Sequence, residues 1–171
     1  VQPDRLSLGA GVTLSEALTC LGAIDPDLTT LMERFGSTQI RASGTVGGNI
    51  ANGSPIGDLA PALIALGAVL ELGCSGESRT LPLQDFFIAY RKQDLRPGEY
   101  VRALHIPLLS QGTFFRAFKI SKRYEEDISS VMMAMRVTLL DGHIVDVRIA
   151  YGGMAGTPHR AQAVEQVLLG Q

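Results

Sequence analysis

RASGTVGGNIANGSPIGD, Arg41 to Asp58, packs five glycines, two asparagines and three hydroxyl residues ahead of a closing aspartate, between two apolar segments of helical character. Glycines at 44, 47, 48, 53 and 57 permit positive φ and close backbone approach. Thr45, Asn49, Asn52 and Ser54 add side-chain donors to a string of main-chain amides. A concavity of such groups suits an anion, above all a phosphate. The spacing fits neither the phosphate loop of nucleotide hydrolases, since no Gly-Lys-Ser/Thr follows, nor the G-x-G-x-x-G dinucleotide fingerprint. Turn chemistry alone also accounts for Val-Gly-Gly-Asn as a strand-end turn. From the residues themselves, turn and ligand loop both stay open.

Upstream of this stretch, Leu6, Leu8 and Ala10 alternate with small residues as in a strand. Thr13, with Glu16 three residues on, forms a capping box for a helix that turns Leu14, Ala17, Leu18 and Leu21 inward. Asp25 as cap and Pro26 at the first helical position open a second helix, which places Leu28, Leu31, Met32 and Phe35 on one stripe before Gly36. Downstream, a helix starts at Asp58 or Pro61 and stops at Gly67, and the Asp58 carboxylate reads equally as its cap or as a contact to a ribose hydroxyl. From Ala68 the period becomes two. The pattern predicts a hairpin of residues 69–72 with 79–83, then core plugs at Phe86 and Phe87, a polar loop over 90–98 and a strand over 100–106. Further strands are expected at 114–120, 131–140 and 144–151, with a tight turn at Asp141-Gly142 and a closing helix over 159–169. The chain is therefore expected to be α+β. The shift near Ser110 to a sheet-led pattern suggests two domains, 1–110 and 111–171.

With 171 residues, a net charge of −2 and a pI near 5.9, the chain has the size of a soluble globular protein and gives no electrostatic reason to expect nucleic acid. Its longest apolar run, Leu59 to Leu72, is broken by Pro61 and Gly67 and is too short to cross a bilayer. Cys20 and Cys74 stand far apart without a Cys-x-x-Cys pattern, which leaves no metal or iron-sulfur site. They read as buried thiols of a reducing, cytoplasmic compartment. His105, His143 and His159 are scattered and receive no role, and no Ser-His-acid or Cys-His set is legible. The pattern opens partway at Val1, as in a fragment.

Taken along the whole chain, the motifs resemble the molybdenum hydroxylase flavoproteins. Gly47-Gly48-Asn49-Ile50 followed by Ser54-Pro55-Ile56-Gly57-Asp58 is close to the second flavin loop as spelled in xanthine dehydrogenases. Tyr90-Arg91-Lys92, Arg96-Pro97-Gly98-Glu99, Phe118-Lys119, Arg123 through Ile128 and Gly152-Gly153-Met154 follow in the family's order. The resemblance implies the second subdomain of a PCMH-type FAD-binding domain, followed by part of a carbon monoxide dehydrogenase flavoprotein C-terminal-like domain. It implies FAD as cofactor, with Phe35 near the flavin and Thr45, Val46, Gly47, Gly48 and Asn49 at the pyrophosphate. It further implies Asp58 at a cofactor hydroxyl or the adenine end, Val101 packed on the isoalloxazine, and Lys119 at the flavin. No side chain is assigned as a catalytic nucleophile. The activity implied is electron transfer from iron-sulfur clusters through FAD to NAD during xanthine oxidation, with the iron-sulfur and molybdenum-cofactor parts as partners. Lys119 to Ile128 resembles the segment that sets the preference between NAD and oxygen. Carbon monoxide dehydrogenase and aromatic acyl-CoA reductase types, and a scaffold that does not hold FAD alone, stand as alternatives, since the family's first flavin loop has no counterpart here.

Overall fold

A computed structural model describes residues 4–124 and 126–171. The fold is α+β, with two four-stranded antiparallel sheets sharing one buried helix. β1 (Arg5–Gly9) leads into α1 (Leu14–Gly22), where the Thr13 capping box forms as the sequence predicts. α2 (Pro26–Glu33) follows with the Asp25 side chain accepting from the Asp27 amide. Beyond α3 (Thr38–Ser43), α4 (Val46–Ala51) and α5 (Leu59–Leu66), the chain forms the hairpin β2 (Val69–Cys74) and β3 (Glu77–Pro82). A single 3-10 turn, Leu83–Phe86, brings Phe86 into the core. The ribbon β4 (Phe87–Ala89) and β5 (Lys92–Gln93) precedes β6 (Tyr100–Pro107), which pairs with both β1 and β2. The first sheet thus runs β1-β6-β2-β3.

The second sheet is a meander of β7 (Thr113–Ile120), β8 (Val131–Leu140) and β9 (His143–Gly152), with β10 (His159–Arg160) on its far edge and α6 (Gln162–Leu168) packed on β9. Asp141 and Gly142 both take positive φ in the β8–β9 turn, as that dipeptide favours. The closing helix is shorter than the sequence pattern predicts, because His159 and Arg160 pair with Tyr151 and Ala150 before it begins.

All eight residues of α5 are buried. A helix that is apolar on every side belongs inside a protein, and α5 packs against β6 on one side and against β8 and β9 on the other. Pro61 is tolerated because it occupies the first turn, where an amide has no intrahelical partner. Gly67 ends the helix at φ 80°, the left-handed geometry of a C-terminal glycine. Removing the Leu63 side chain, which is fully buried, is expected to cost roughly 2–5 kcal/mol. α2 lies over β7, and the Asp27 carboxylate accepts the Ala117 amide of that strand at 3.0 Å. The expectation of two buried thiols is corrected: Cys20 sits on the exposed face of α1 and Cys74 is half-buried.

Candidate functional site

The glycine-rich stretch is more helical than its composition suggests. Ser37 and Thr45 each cap a short helix, and Thr45 Oγ1 accepts the Gly48 amide at 3.1 Å. The amides of Val46 and Gly47 donate to the Val12 and Ala10 carbonyls at 2.9 and 3.0 Å, and that of Asn49 donates to the Thr45 carbonyl. Residues 46–49 therefore present no string of free amides, which corrects the sequence reading. Gly47 is required by its own chain: a Cβ there would stand 2.8 Å from Ala10 Cα. Gly48 is exposed, and a Cβ on it would meet only Thr45 Oγ1, at 2.9 Å.

The cleft lies on the other side of this stretch, between residues 49–58, the end of α2 and the segment joining β7 to β8. It encloses about 330 Å³. Of the residues singled out in the sequence, it gathers Phe35, Asn49, Asp58 and Lys119. Thr45, Val46, Gly47 and Gly48 do not line it, and Val101 is a buried residue of β6 in the first sheet, paired with Leu72.

At the floor, Lys119 Nζ donates to Asp58 Oδ2 at 2.5 Å and to Ser129 Oγ at 3.0 Å, and the Ser129 hydroxyl donates to Asp58 Oδ1. The Lys119 and Asp58 side chains are 2% and 5% exposed. Such a pair is tolerated in low dielectric only when its remaining hydrogen-bonding capacity is met, and Ser129 meets part of it. Asp58 forms no cap hydrogen bond with α5, which removes the cap alternative. The resemblance assigns Asp58 and Lys119 to different parts of a cofactor; here the two side chains are in direct contact with each other.

Four apolar side chains, Phe35, Ile40, Ile56 and Ile128, line the cleft among its polar residues, and the three isoleucines are exposed. The Arg34 guanidinium, at the end of α2, holds the joining segment in place: it donates to the Tyr124 and Lys119 carbonyls and to Ser121 Oγ, and lies 4.6 Å over the Tyr124 ring. The segment closes on itself through Asp127, which accepts the Arg123 amide at 2.7 Å; that hydrogen bond lowers the carboxyl below its usual range. Glu126 lines the cleft, whereas Glu125 lies outside the described residues. Ser129 and Arg34 are the site residues that sequence reasoning missed, whereas Ile56 and Ile128 lie inside motifs it quoted. A serine in a mixed run carries no local signal, and Arg34 is distinguished by its partners some 90 residues away.

One polar set also escaped the sequence. Ser7, His105 and Glu71 are hydrogen-bonded in a row across β1, β6 and β2, at 2.9 and 3.0 Å. None of the three lines the cleft, so the row lies outside that site. Among the described residues, no group of three potential ligands converges on a metal position, and no helix is long and apolar enough to cross a membrane.

The aromatic and aliphatic lining residues, together with a buried cation and two asparagines, suit a flat, partly polar ring system. The fit to FAD is that of one wall. A cleft of about 330 Å³ is at the lower end of ligand-pocket sizes, roughly 300–1,000 Å³, and accommodates part of a dinucleotide.

The fold is that of an α+β protein with a cleft between its glycine-rich stretch and its second sheet. Residues 1–109 match the family described as the FAD binding domain in molybdopterin dehydrogenase, and residues 116–171 match the CO dehydrogenase flavoprotein C-terminal domain. The chain belongs to this FAD-binding family of molybdopterin dehydrogenases. It is 42% identical to the xanthine dehydrogenase of rice over its whole length, and 37% identical to the xanthine dehydrogenase/oxidase of rat over 90% of it. It spans 14% and 12% of those two proteins. Among solved structures, the carbon monoxide dehydrogenase of Hydrogenophaga pseudoflava lacking the Mo-pyranopterin moiety superposes with a TM-score of 0.93 at 26% identity, and a cyanide-inactivated Cu,Mo-CO dehydrogenase with 0.91 at 27%. Each match covers all of this chain and 60% of the other.

Proposed function

We propose that this chain forms one wall of the FAD site in a xanthine dehydrogenase and carries the last electron exchange, from iron-sulfur clusters through FAD to NAD. The observation that carries the reading is the cleft itself, where the buried Lys119-Asp58-Ser129 set is ringed by Phe35, Ile56 and Ile128. The cofactor, when bound, supplies the redox chemistry. The chain's residues bind and orient it. Phe35 and the isoleucines pack on ring faces and exclude water, Asn49 and Asn52 offer amide groups, and Lys119 presents a cation that favours electron-rich states nearby. The iron-sulfur and molybdenum-cofactor parts are its partners in the intact enzyme. The two asparagine side chains have no hydrogen bond to another described residue, so they remain available to a ligand.

The identity with xanthine dehydrogenases supports the substrate class over the carbon monoxide dehydrogenase alternative, to which identity is lower. Because residues 46–49 spend their amides internally, this chain alone is expected to bind FAD only in the micromolar range or weaker, roughly −8 kcal/mol or less favourable. Titration of FAD fluorescence measures this. Saturable quenching supports the wall reading, whereas no quenching by a folded chain supports the scaffold reading. Glu126 carries the NAD part of the proposal, since this acidic residue lines the cleft from the joining segment. In the intact enzyme, Glu126→Gln is expected to shift electron delivery from NAD towards oxygen, read as the ratio of NADH to superoxide plus peroxide during xanthine turnover. An unchanged ratio would leave the segment a structural one.

A further inference from the structure

Lys119 has three N–H donors, of which two are committed, to Asp58 Oδ2 and Ser129 Oγ. The single Ser129 hydroxyl hydrogen goes to Asp58 Oδ1. The direction of each bond follows from chemistry, because an ammonium cannot accept and an ionised carboxylate cannot donate. The three groups close a ring of hydrogen bonds, and all three line the cleft. Ser129 is held in place by the start of the second sheet, where the next amide, that of Ser130, donates to the Ile120 carbonyl at 2.8 Å just before Ile120 pairs with Val131. It is 3% exposed, which leaves its hydroxyl little freedom to leave the ring.

We propose that Ser129 is a positioning residue for the flavin. By occupying Asp58 Oδ1 it prevents the carboxylate from gripping Lys119 with both oxygens, and by accepting from Nζ it fixes the direction of the third N–H. That donor is the one Lys119 offers to an electron-rich acceptor, a ring carbonyl or nitrogen, on a ligand in the cleft. Asp58 then serves as the counter-ion of Lys119, with both oxygens engaged, and not as the acceptor of a cofactor hydroxyl. The inference rests on the proposal that the flavin occupies this cleft.

The test uses the intact flavoprotein and reads two quantities, the flavin midpoint potential and the dissociation constant for FAD. Ser129→Ala is expected to lower the potential and to weaken FAD binding roughly three- to tenfold, the scale of one ordinary net hydrogen bond. Ser129→Thr, which keeps the hydroxyl, is expected to restore both. In an Asp58→Asn background, Ser129→Ala is expected to add nothing further, since the serine acts through that carboxylate. Lys119→Met separates the two proposals. If it changes both quantities while Ser129→Ala changes neither, the positioning role is overturned and the flavin cleft stands. If neither variant changes them, the flavin is elsewhere and both proposals fall. A change on Ser129→Ala that threonine does not restore, or that is fully additive with Asp58→Asn, also overturns the role. Should Asp58→Asn fail to fold, the alanine and threonine variants decide.

Discussion

The two ends of α5 are handled in opposite ways. At its start, Asp58 meets a single cation, Lys119, in a closed set that faces the cleft. At its end, three arginines gather. Arg136 donates to the Leu66 carbonyl at 2.9 Å and pairs with Asp146, and Arg160 pairs with Glu165. Arg148 lies beside Gly67, and its cation is disfavoured by burial and then by Arg160 and Arg136, which lowers its pKa. Both ends obey the helix dipole, with an acid at the amino end and cations at the carboxyl end. The difference is completeness. The carboxyl end tolerates buried guanidinium nitrogens without partners, Arg136 Nε and Arg148 Nε, whereas at the amino end both Asp58 oxygens, the Ser129 hydroxyl and two of the three Lys119 N–H groups are engaged with one another. A polar set completed that closely beside an open cleft holds one group in one direction, while the arginine end only has to stop a helix.

The largest effect is expected from breaking the amino end. Asp58→Asn or Lys119→Met leaves one buried charge without its partner and is expected to cost about 3–5 kcal/mol in urea unfolding. The double variant, with no charge left, is expected to cost less than the sum of the two. Equal and additive costs would show that the pair is not coupled. At the carboxyl end, Arg136→Ala removes one cap hydrogen bond and one ion pair and is expected to cost about 1–2 kcal/mol. Arg148→Met is expected to be neutral or slightly stabilising, since it relieves a desolvated charge among like charges. A large loss of stability from Arg148→Met would contradict the contrast between the ends.

The smallest effect lies away from α5, in the β2–β3 region. Hydrogen bonds from Arg79 hold the Glu99 carboxyl at about 2, below its ordinary 4.5. A depressed acid of this kind contributes stability above pH 4.5 that is lost as the pH falls towards 2. Acid unfolding of Glu99→Gln is therefore expected to show a shallower pH dependence in that window, and the same slope as the parent would contradict it.

Much of this architecture is legible before folding. The Thr13 and Asp25 caps, Pro26, the stop at Gly67 and the Asp141-Gly142 turn are local signals, and each reads correctly because a few neighbouring residues decide it. The glycine-rich stretch misleads because its glycines serve two purposes that look alike in sequence. Gly47 lets α4 approach Ala10, and it does so by spending the amides that otherwise suggest a phosphate cradle. The floor of the cleft joins residues 58, 119 and 129, which only the packing of the second sheet on α5 brings together. Resemblance to a family pointed to Asp58 and Lys119 one by one. Their contact and the part played by Ser129 are tertiary facts.

The central claim is that the amino end of α5 faces the flavin and the carboxyl end does not. The most direct measurement compares FAD affinity in the intact enzyme carrying Lys119→Met with that carrying Arg136→Met. At least a tenfold weaker affinity is expected for Lys119→Met, about 1.4 kcal/mol, and an unchanged constant for Arg136→Met. Equal affinities in the two variants, or a loss confined to Arg136→Met, would contradict the claim.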